Sequence, residues 1–304
     1  MRQDCSWGSH WLPRLHRARP SVALDDTSNF NYSGNWRRRH RGVDAYIGGV
    51  PYPTPWTLSA AECDEIAADL LRDVAIAVVI PARDEATTVG SVLDAVFAAG
   101  PFVREVVVVD DHSSDDTSTV ATHHGARVLR LDAPTGKGGA MAVGAAATSA
   151  ELIVFLDADV TSPSTHYLAR LVAPLLARDS VGLVKGYYVR PLHDMPTGGG
   201  RVNELTARPA LSLLHPGLGE IRQPLAGETA IRREVLESCP LAATYGVEVA
   251  LLLDVAARYG VESIAQVDLG IRRHRNRPLE ELRPMATEIL GVILERSGVV
   301  LPPR

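Results

Sequence analysis

Lysine is nearly missing from this chain. Of 31 basic residues, 29 are arginines and only Lys137 and Lys185 are lysines. Genomic base composition is the simplest source of that skew. Against it a retained lysine stands out, because a compact ammonium on a flexible stem does things a guanidinium fork does not. Cysteine is scarce as well. Cys5, Cys63 and Cys239 are odd in number, far apart and without Cys-x-x-Cys spacing, which supports neither a disulfide framework nor a structural zinc site and suits a reducing, cytoplasmic setting. No apolar run approaches the ~18 residues of a membrane span, and the start of the chain holds no apolar stretch of signal-peptide type. Positive charge is not in excess either. The 31 Lys+Arg against 36 Asp+Glu leave a net −5, which gives no basis for a nucleic-acid or anionic-membrane partner.

What is present is a chain of 304 residues, 46% hydrophobic and 22% charged, able to bury a sizeable core as one large domain with appendages or as two small ones. Residues 1–55 carry no apolar period, and all four tryptophans (Trp7, Trp11, Trp36, Trp56) fall within the first 56 residues. This stretch reads as an irregular N-terminal extension. From Leu58 the pattern becomes regular. Ser59 is placed to cap an amphipathic helix, and AIAVVIP at 75–81 is a continuous apolar run of buried-strand type. Predicted helices at 86–98, 116–123 and 138–148 alternate with predicted strands at 104–110, 126–131 and 151–157. That alternation implies βαβ units in a parallel sheet with right-handed crossovers, where ligands sit at the carboxyl ends of the strands. After about residue 180 the rhythm changes to a strand at 181–189, a Gly-rich turn at 197–201 and a helix at 202–214. A helix at 246–259, a strand at 264–269 and an amphipathic helix at 279–296 complete it.

The segments just after the strands carry the chemistry. Asp157-Ala158-Asp159 ends an apolar strand, and residues i and i+2 of an extended chain point the same way, so two carboxylates meet at one spot. A hard divalent cation relieves their repulsion and can bridge a diphosphate; a helix cap beside a surface acid is the plainer alternative. Gly136-Lys137-Gly138 precedes a helix whose first N–H groups, with the lysine charge, suit a phosphate. It is no Walker A loop, because Leu131 and Gly138 stand where that motif needs Gly and Ser or Thr; a solvated turn lysine is the alternative. Asp84, Glu85, Asp110 and Asp111 could accept hydrogen bonds from a nucleobase and ribose, whereas Asp115 or Asp116 reads as a helix cap. Gly-x-Gly-x-x-Gly is absent after the first strand, which disfavours a dinucleotide-dependent hydride transfer.

In the second half, Gly198-Gly199-Gly200-Arg201 lets backbone approach a ligand and ends in a fork suited to phosphate or carboxylate. Arg272-Arg273-His274-Arg275-Asn276-Arg277 follows a strand. It is either a solvated basic loop or a ligand loop in which His274 completes a metal site beside two carboxylates. Glu248 starts an apolar helix and fits helix-dipole compensation nearly as well as ligand binding.

In order and spacing, VVIPARDE, VVVVDDHSSDDT, GKGGA and FLDADV resemble the nucleotide-binding half of the GT-A glycosyltransferases. LVKGYYVRPL, TGGGRVNELTARPALSLL, RQPLAGETAIRREVL, YGVEVALLLD and IAQVDLGIRRHRNRPLEEL resemble the glucosyl-3-phosphoglycerate synthases, and the likeness runs from about Trp56 to Gly298. The resemblance implies an α/β GT-A fold, Rossmann-like, with a mostly parallel sheet flanked by helices. In it residues 56–180 form a nucleotide-sugar half and 181–304 a mixed α/β acceptor half. It further implies a retaining hexosyltransferase that moves glucose from UDP-glucose to the 2-hydroxyl of 3-phosphoglycerate with Mg²⁺, Mn²⁺ or Co²⁺, as a cytoplasmic homodimer. By matching motif, Pro81, Ala82, Arg83 and Glu85 line the uridine site with Asp111 near it, and Lys137 contacts donor phosphate. Asp157, Asp159 and His274 hold the metal, with Ala158 between the two acids against the nucleotide sugar. Gly200, Arg201, Val202, Asn203 and Asn276 bind the acceptor, and Glu248 hydrogen-bonds the sugar. The implied catalytic set is Asp159, Lys137, Glu248 and the Leu225 backbone carbonyl. No carboxylate stands out as a nucleophile, so front-face attack is the favoured retaining route. Two positions depart from the family. Asn203 replaces a Thr, and Asp110-Asp111-His112-Ser113 replaces Asp-Ser-Gly-Ser at the base contact, which keeps GDP-mannose or GDP-glucose as an alternative donor. The nucleotide-binding half alone would also suit a polyprenyl-phosphate sugar transferase or a non-catalytic sugar-nucleotide sensor.

Overall fold

The apolar runs of the sequence become the strands of one sheet. In a computed structural model of the chain, the described residues are 46–47, 50–161, 163–192, 195–198, 200–243, 245–272 and 278–301. Most of the N-terminal extension, together with His274 and Asn276, lies outside them. The strands are β1 (Trp56–Leu58), β2 (Ile76–Ala82), β3 (Val103–Asp110), β4 (Arg127–Arg130), β5 (Leu152–Phe155), β6 (Leu183–Val189), β7 (Thr229–Arg232) and β8 (Ile264–Ile271). Their order across the sheet is β1-β8-β6-β7-β5-β2-β3-β4. Every neighbouring pair is parallel except those of β7, which runs antiparallel to both β5 and β6. Strands from both sides of residue 180 therefore share one sheet.

Helices cover both faces, which is why β2 reads as an unbroken apolar run rather than an alternating one. Its period of two still sorts the side chains. Ile76, Val78 and Ile80 enter the core beneath helices 60–70, 89–98 and 166–177, whereas Val79 joins Ile153 and Phe155 beneath helices 136–146, 247–259 and 279–296. The Ser59 cap forms as expected, since Glu62 N–H donates to Ser59 Oγ at 3.3 Å and Ser59 N–H to Glu62 Oε2 at 2.8 Å.

Boundaries move where backbone groups find other partners. The helix predicted from residue 86 begins at Val89, because the Glu85 carbonyl first accepts from the Thr88 and Val89 N–H groups. The helix predicted from 202 contains a widened π turn, Asn203–Ala207, before the α-helix Arg208–Leu214. Arg208 N–H reaches back to the Asn203 carbonyl, and Pro209 has no N–H to give. Sequence periodicity did not reveal β1, β7, or the helices His166–Ala177 and Arg233–Ser238. The strands among these are short, and Pro174, a residue that usually ends a helix, lies inside the first of the two helices.

Gly144 brings helix Gly136–Ala146 onto the sheet: a Cβ there would overlap Val79 Cγ1 and stand 3.0 Å from Val109 Cγ2. Gly144→Ala is expected to lower unfolding free energy by about 1–3 kcal/mol, the usual cost of overpacking. Urea titration checks this, and an unchanged midpoint would refute the close contact.

Candidate active site

The polar strand ends meet in a cleft of about 830 Å³ at the carboxyl ends of β2, β3 and β5. The Gly136–Gly138 turn on its floor is held by Asp111. Its Oδ1 accepts from Thr135 N–H at 2.6 Å and its Oδ2 from Gly136 N–H at 3.0 Å. Gly136 has φ 76°, and a Cβ on Gly138 would overlap the Ala242 carbonyl oxygen. The turn thereby aims Lys137 inward, with Nζ 2.6 Å from Asp157 Oδ1 and 2.5 Å from Glu248 Oε1. A solvated lysine and a free helix-capping glutamate are both set aside by this pair. Burial opposes the Lys137 ammonium, yet Asp157 and Glu248 outweigh it and hold its pKa well above the ordinary value.

One acid expected at the nucleotide serves its loop instead. Asp110 is wholly buried and accepts from Ser113 N–H, the Ser118 hydroxyl and Arg130; it holds its loop and is not available to a base. Asp84 accepts from the Ser114 N–H and hydroxyl through one oxygen, and it also lines the cleft. Asp115, and not Asp116, accepts from Thr117 N–H at the start of helix Thr117–His123. Pro81, Ala82, Arg83, Glu85 and Asp111 all line the cleft.

Asp157 and Asp159 do converge. Arg272 Nη2 lies 2.9 Å from Asp157 Oδ2 and 2.8 Å from Asp159 Oδ1. Its Nη1 lies 2.8 Å from Glu228 Oε1 and donates to Tyr188 OH at 2.8 Å. Only 1% of Arg272 is exposed, so the alternative of a wholly solvated basic loop fails at its first residue. Burial raises the pKa of Glu228 despite Arg272. It also opposes ionisation of Asp157, but Lys137 and Arg272 together hold that carboxyl far below the usual range. The two carboxylate oxygens share one cation in this arrangement, and such a pair suits a hard divalent ion that takes its other ligands from a diphosphate. Among the described residues no group of three or more His, Cys, Asp or Glu could hold a metal, and His274 lies outside them.

The opposite wall carries the expected acceptor residues. Gly200, at φ 72°, is followed by Arg201, Val202 and Asn203, all lining the same cleft. Asn203 Nδ2 donates to the Arg222 carbonyl at 3.1 Å and to Glu204 Oε1 at 2.9 Å. Leu225 lines the cleft too, and Leu282 and Met285 bring the last helix to its rim. Sequence reasoning passed over Arg272 in favour of His274, gave Glu228 no role, and predicted the last helix without placing it at the cleft. The signal for Arg272 was its place directly after an apolar strand.

A family model described as Glycosyl transferase family 2 matches residues 77–238. The glucosyl-3-phosphoglycerate synthase of Mycolicibacterium paratuberculosis is 42% identical over 283 residues, covering 88% of this chain and 84% of that one. The chain belongs to this family. A crystal structure of the Mycobacterium tuberculosis glucosyl-3-phosphoglycerate synthase, in complex with Mn²⁺, uridine diphosphate and glucosyl-3-phosphoglycerate, matches with a TM-score of 0.71 at 40% identity. That match covers 83% of this chain and 89% of the other. The same enzyme with Mn²⁺, UDP-glucose and phosphoglyceric acid gives 0.71 at 39% identity, over 82% of this chain and 89% of the other.

In this family 2 glycosyltransferase, Arg272→Met strips the shared counter-charge from Asp157, Asp159 and Glu228. A loss of about 3–5 kcal/mol is expected at neutral pH. Adding Glu228→Gln should recover part of it, since one buried acid no longer needs pairing. Urea unfolding of the single and double variants checks the coupling, and simple addition of two losses would contradict it.

Proposed function

We propose that the protein is a retaining glycosyltransferase that moves glucose from UDP-glucose to the 2-hydroxyl of 3-phosphoglycerate in the presence of a divalent metal. The observation that carries this reading is one cleft that joins the Lys137 turn, the convergent Asp157/Asp159 pair and the Gly200–Asn203 wall. The ligands named in the relatives' structures, UDP-glucose and phosphoglyceric acid, need those three features side by side.

A bound divalent ion, held by Asp157, Asp159 and His274, would stabilise the charge that develops on the departing diphosphate. Lys137 adds a second cation at the same place, kept as an ammonium by Asp157 and Glu248. Glu248 accepts a hydrogen bond from the donor sugar. Arg201 and Asn276 hold the acceptor's anionic groups, so that the 2-hydroxyl faces the anomeric carbon. Asp157, Glu228 and Glu248 are each engaged with Lys137 or Arg272, which disfavours any of them as a nucleophile. Attack from the face that the diphosphate leaves fits better. The anomeric C–O bond to diphosphate breaks, the bond to the acceptor oxygen forms, and the acceptor proton passes to the leaving phosphate oxygen while the Leu225 carbonyl steadies the hydroxyl. Pro81, Ala82, Arg83, Glu85 and Asp111 enclose the base.

The same reading places the enzyme in the cytoplasm, where the buried thiols of Cys63 and Cys239 stay reduced, and makes it a homodimer. Leu205 and Leu213 are exposed on the helical segment behind the acceptor wall, and light scattering at the mass of a single chain would contradict the dimer.

Incubation with UDP-glucose, Mn²⁺ and 3-phosphoglycerate should yield the glucosylated acceptor; turnover only with GDP-mannose or GDP-glucose would overturn the donor. Arg201→Ala should raise the acceptor KM by about two orders of magnitude, the scale of a lost charge-assisted contact (about 3 kcal/mol). UDP affinity by calorimetry should stay near that of the wild type, and an equal loss of both would move Arg201 out of the acceptor site.

A further inference from the structure

Lys185 sits in the middle of β6, 2% exposed, paired with Thr229 of β7 on one side and Gln266 of β8 on the other. Its Nζ donates to the Ala226 carbonyl and, at 2.9 Å, to Thr229 Oγ1. No carboxylate lies within ion-pairing distance of it among the described residues. A buried ammonium held only by a carbonyl and a hydroxyl is a costly choice for a core position. Burial pulls its pKa down to about 8, against Glu248, Glu228 and Asp157, which support its charge, and with Lys137, which opposes it.

What the ammonium holds is the turn that crosses the floor of the cleft. Ala226 N–H donates to the Gln223 carbonyl at 3.0 Å. In a trans peptide the carbonyl lies opposite the N–H, so the Leu225 carbonyl is directed away from the interior of the turn, and Leu225 lines the cleft. The next peptide is fixed from below, because the Ala226 carbonyl accepts from Lys185 Nζ and also from Thr229 Oγ1 at 3.3 Å. Beyond it a Cβ on Gly227 would overlap the Asp157 carboxylate, and the Glu228 carbonyl accepts from Gly186 N–H at 2.8 Å. Both peptides that flank Ala226 are thus locked, and Lys185 supplies the charged bond among the locks.

We propose that Lys185 is a positioning residue for glycosyl transfer: from beneath the site it fixes the Gln223–Glu228 turn, so that the Leu225 carbonyl faces the reacting centre. The proposal rests on the role given above to Leu225. It explains why one of two lysines survives at a position where an apolar side chain would cost the fold less.

Lys185→Met and Thr229→Val in the full chain test it. For Lys185→Met the thermal midpoint should equal or exceed that of the wild type, and UDP affinity with Mn²⁺ should stay within about threefold. Its kcat should fall by about 100-fold, the scale of a misplaced reacting group, with acceptor KM little changed. Thr229→Val should lower kcat several-fold in the same pattern and add less in the double variant than it costs alone. A kcat near that of the wild type, a loss of UDP affinity in step with activity, or additive losses would overturn the proposal. Should Lys185→Met not fold, Thr229→Val decides by the same split of kcat against KM. A wild-type protein that turns over another donor and acceptor would overturn the activity reading instead, and the comparison of variants with wild type is then made on that pair.

Discussion

The Asp157 carboxylate, gripped by Lys137 on one oxygen and by Arg272 on the other, is the contact on which the rest of the cleft depends. Lys137 comes from the turn after β4, Asp157 from the end of β5, and Arg272 from the residue after β8. Glu248 and Glu228 extend the chain of charges at either end. Buried charges separated from their partners are far more costly than paired ones. The cluster therefore ties residues from both halves of the chain into a single arrangement on one sheet. The same charges give the site its chemistry, since a row of alternating cations and carboxylates is preorganised for a ligand whose charge changes during reaction.

The antiparallel strand β7 makes this possible. Were β5 and β6 direct parallel neighbours, nothing would bring the segment before residue 229 against Asp157. Inserting β7 between them places Gly227 and Glu228 at the carboxyl end of β5, close enough that only a glycine fits beside the Asp157 side chain. The turn from Gln223 to Glu228 thus lines the cleft through Gln223 and Leu225 rather than forming a surface connection.

The parts that were legible in the sequence are those whose signal is local. The βα rhythm and the capped helix at Ser59 have local signals, and their geometry followed; Gly136–Gly138 forms the first turn of its helix rather than preceding it, and Asp157 and Asp159 converge on Arg272 although β5 ends at Phe155. What escaped is non-local. Arg272 meets Asp157 across 115 positions and Glu228 across 44, and Lys185 meets Ala226 across 41; no spacing rule connects such pairs. The acid Asp110 was misplaced for a related reason: a carboxylate after a strand serves the loop's own N–H groups as readily as it serves a ligand. Strand β7, four residues long, has no period to read.

The choice between arginine and lysine follows from the same geometry. Arg272 must answer Asp157 and Asp159 with one nitrogen and Glu228 and Tyr188 with the other, which needs the span of a guanidinium fork. Lys137 must answer Asp157 and Glu248 from a turn whose close packing leaves room for one compact charge. At residue 185 a fork would bury five donors where the strand offers a carbonyl and a hydroxyl, so an arginine there would leave several unsatisfied. In a chain whose codons favour arginine, the two lysines persist where only a small ammonium fits.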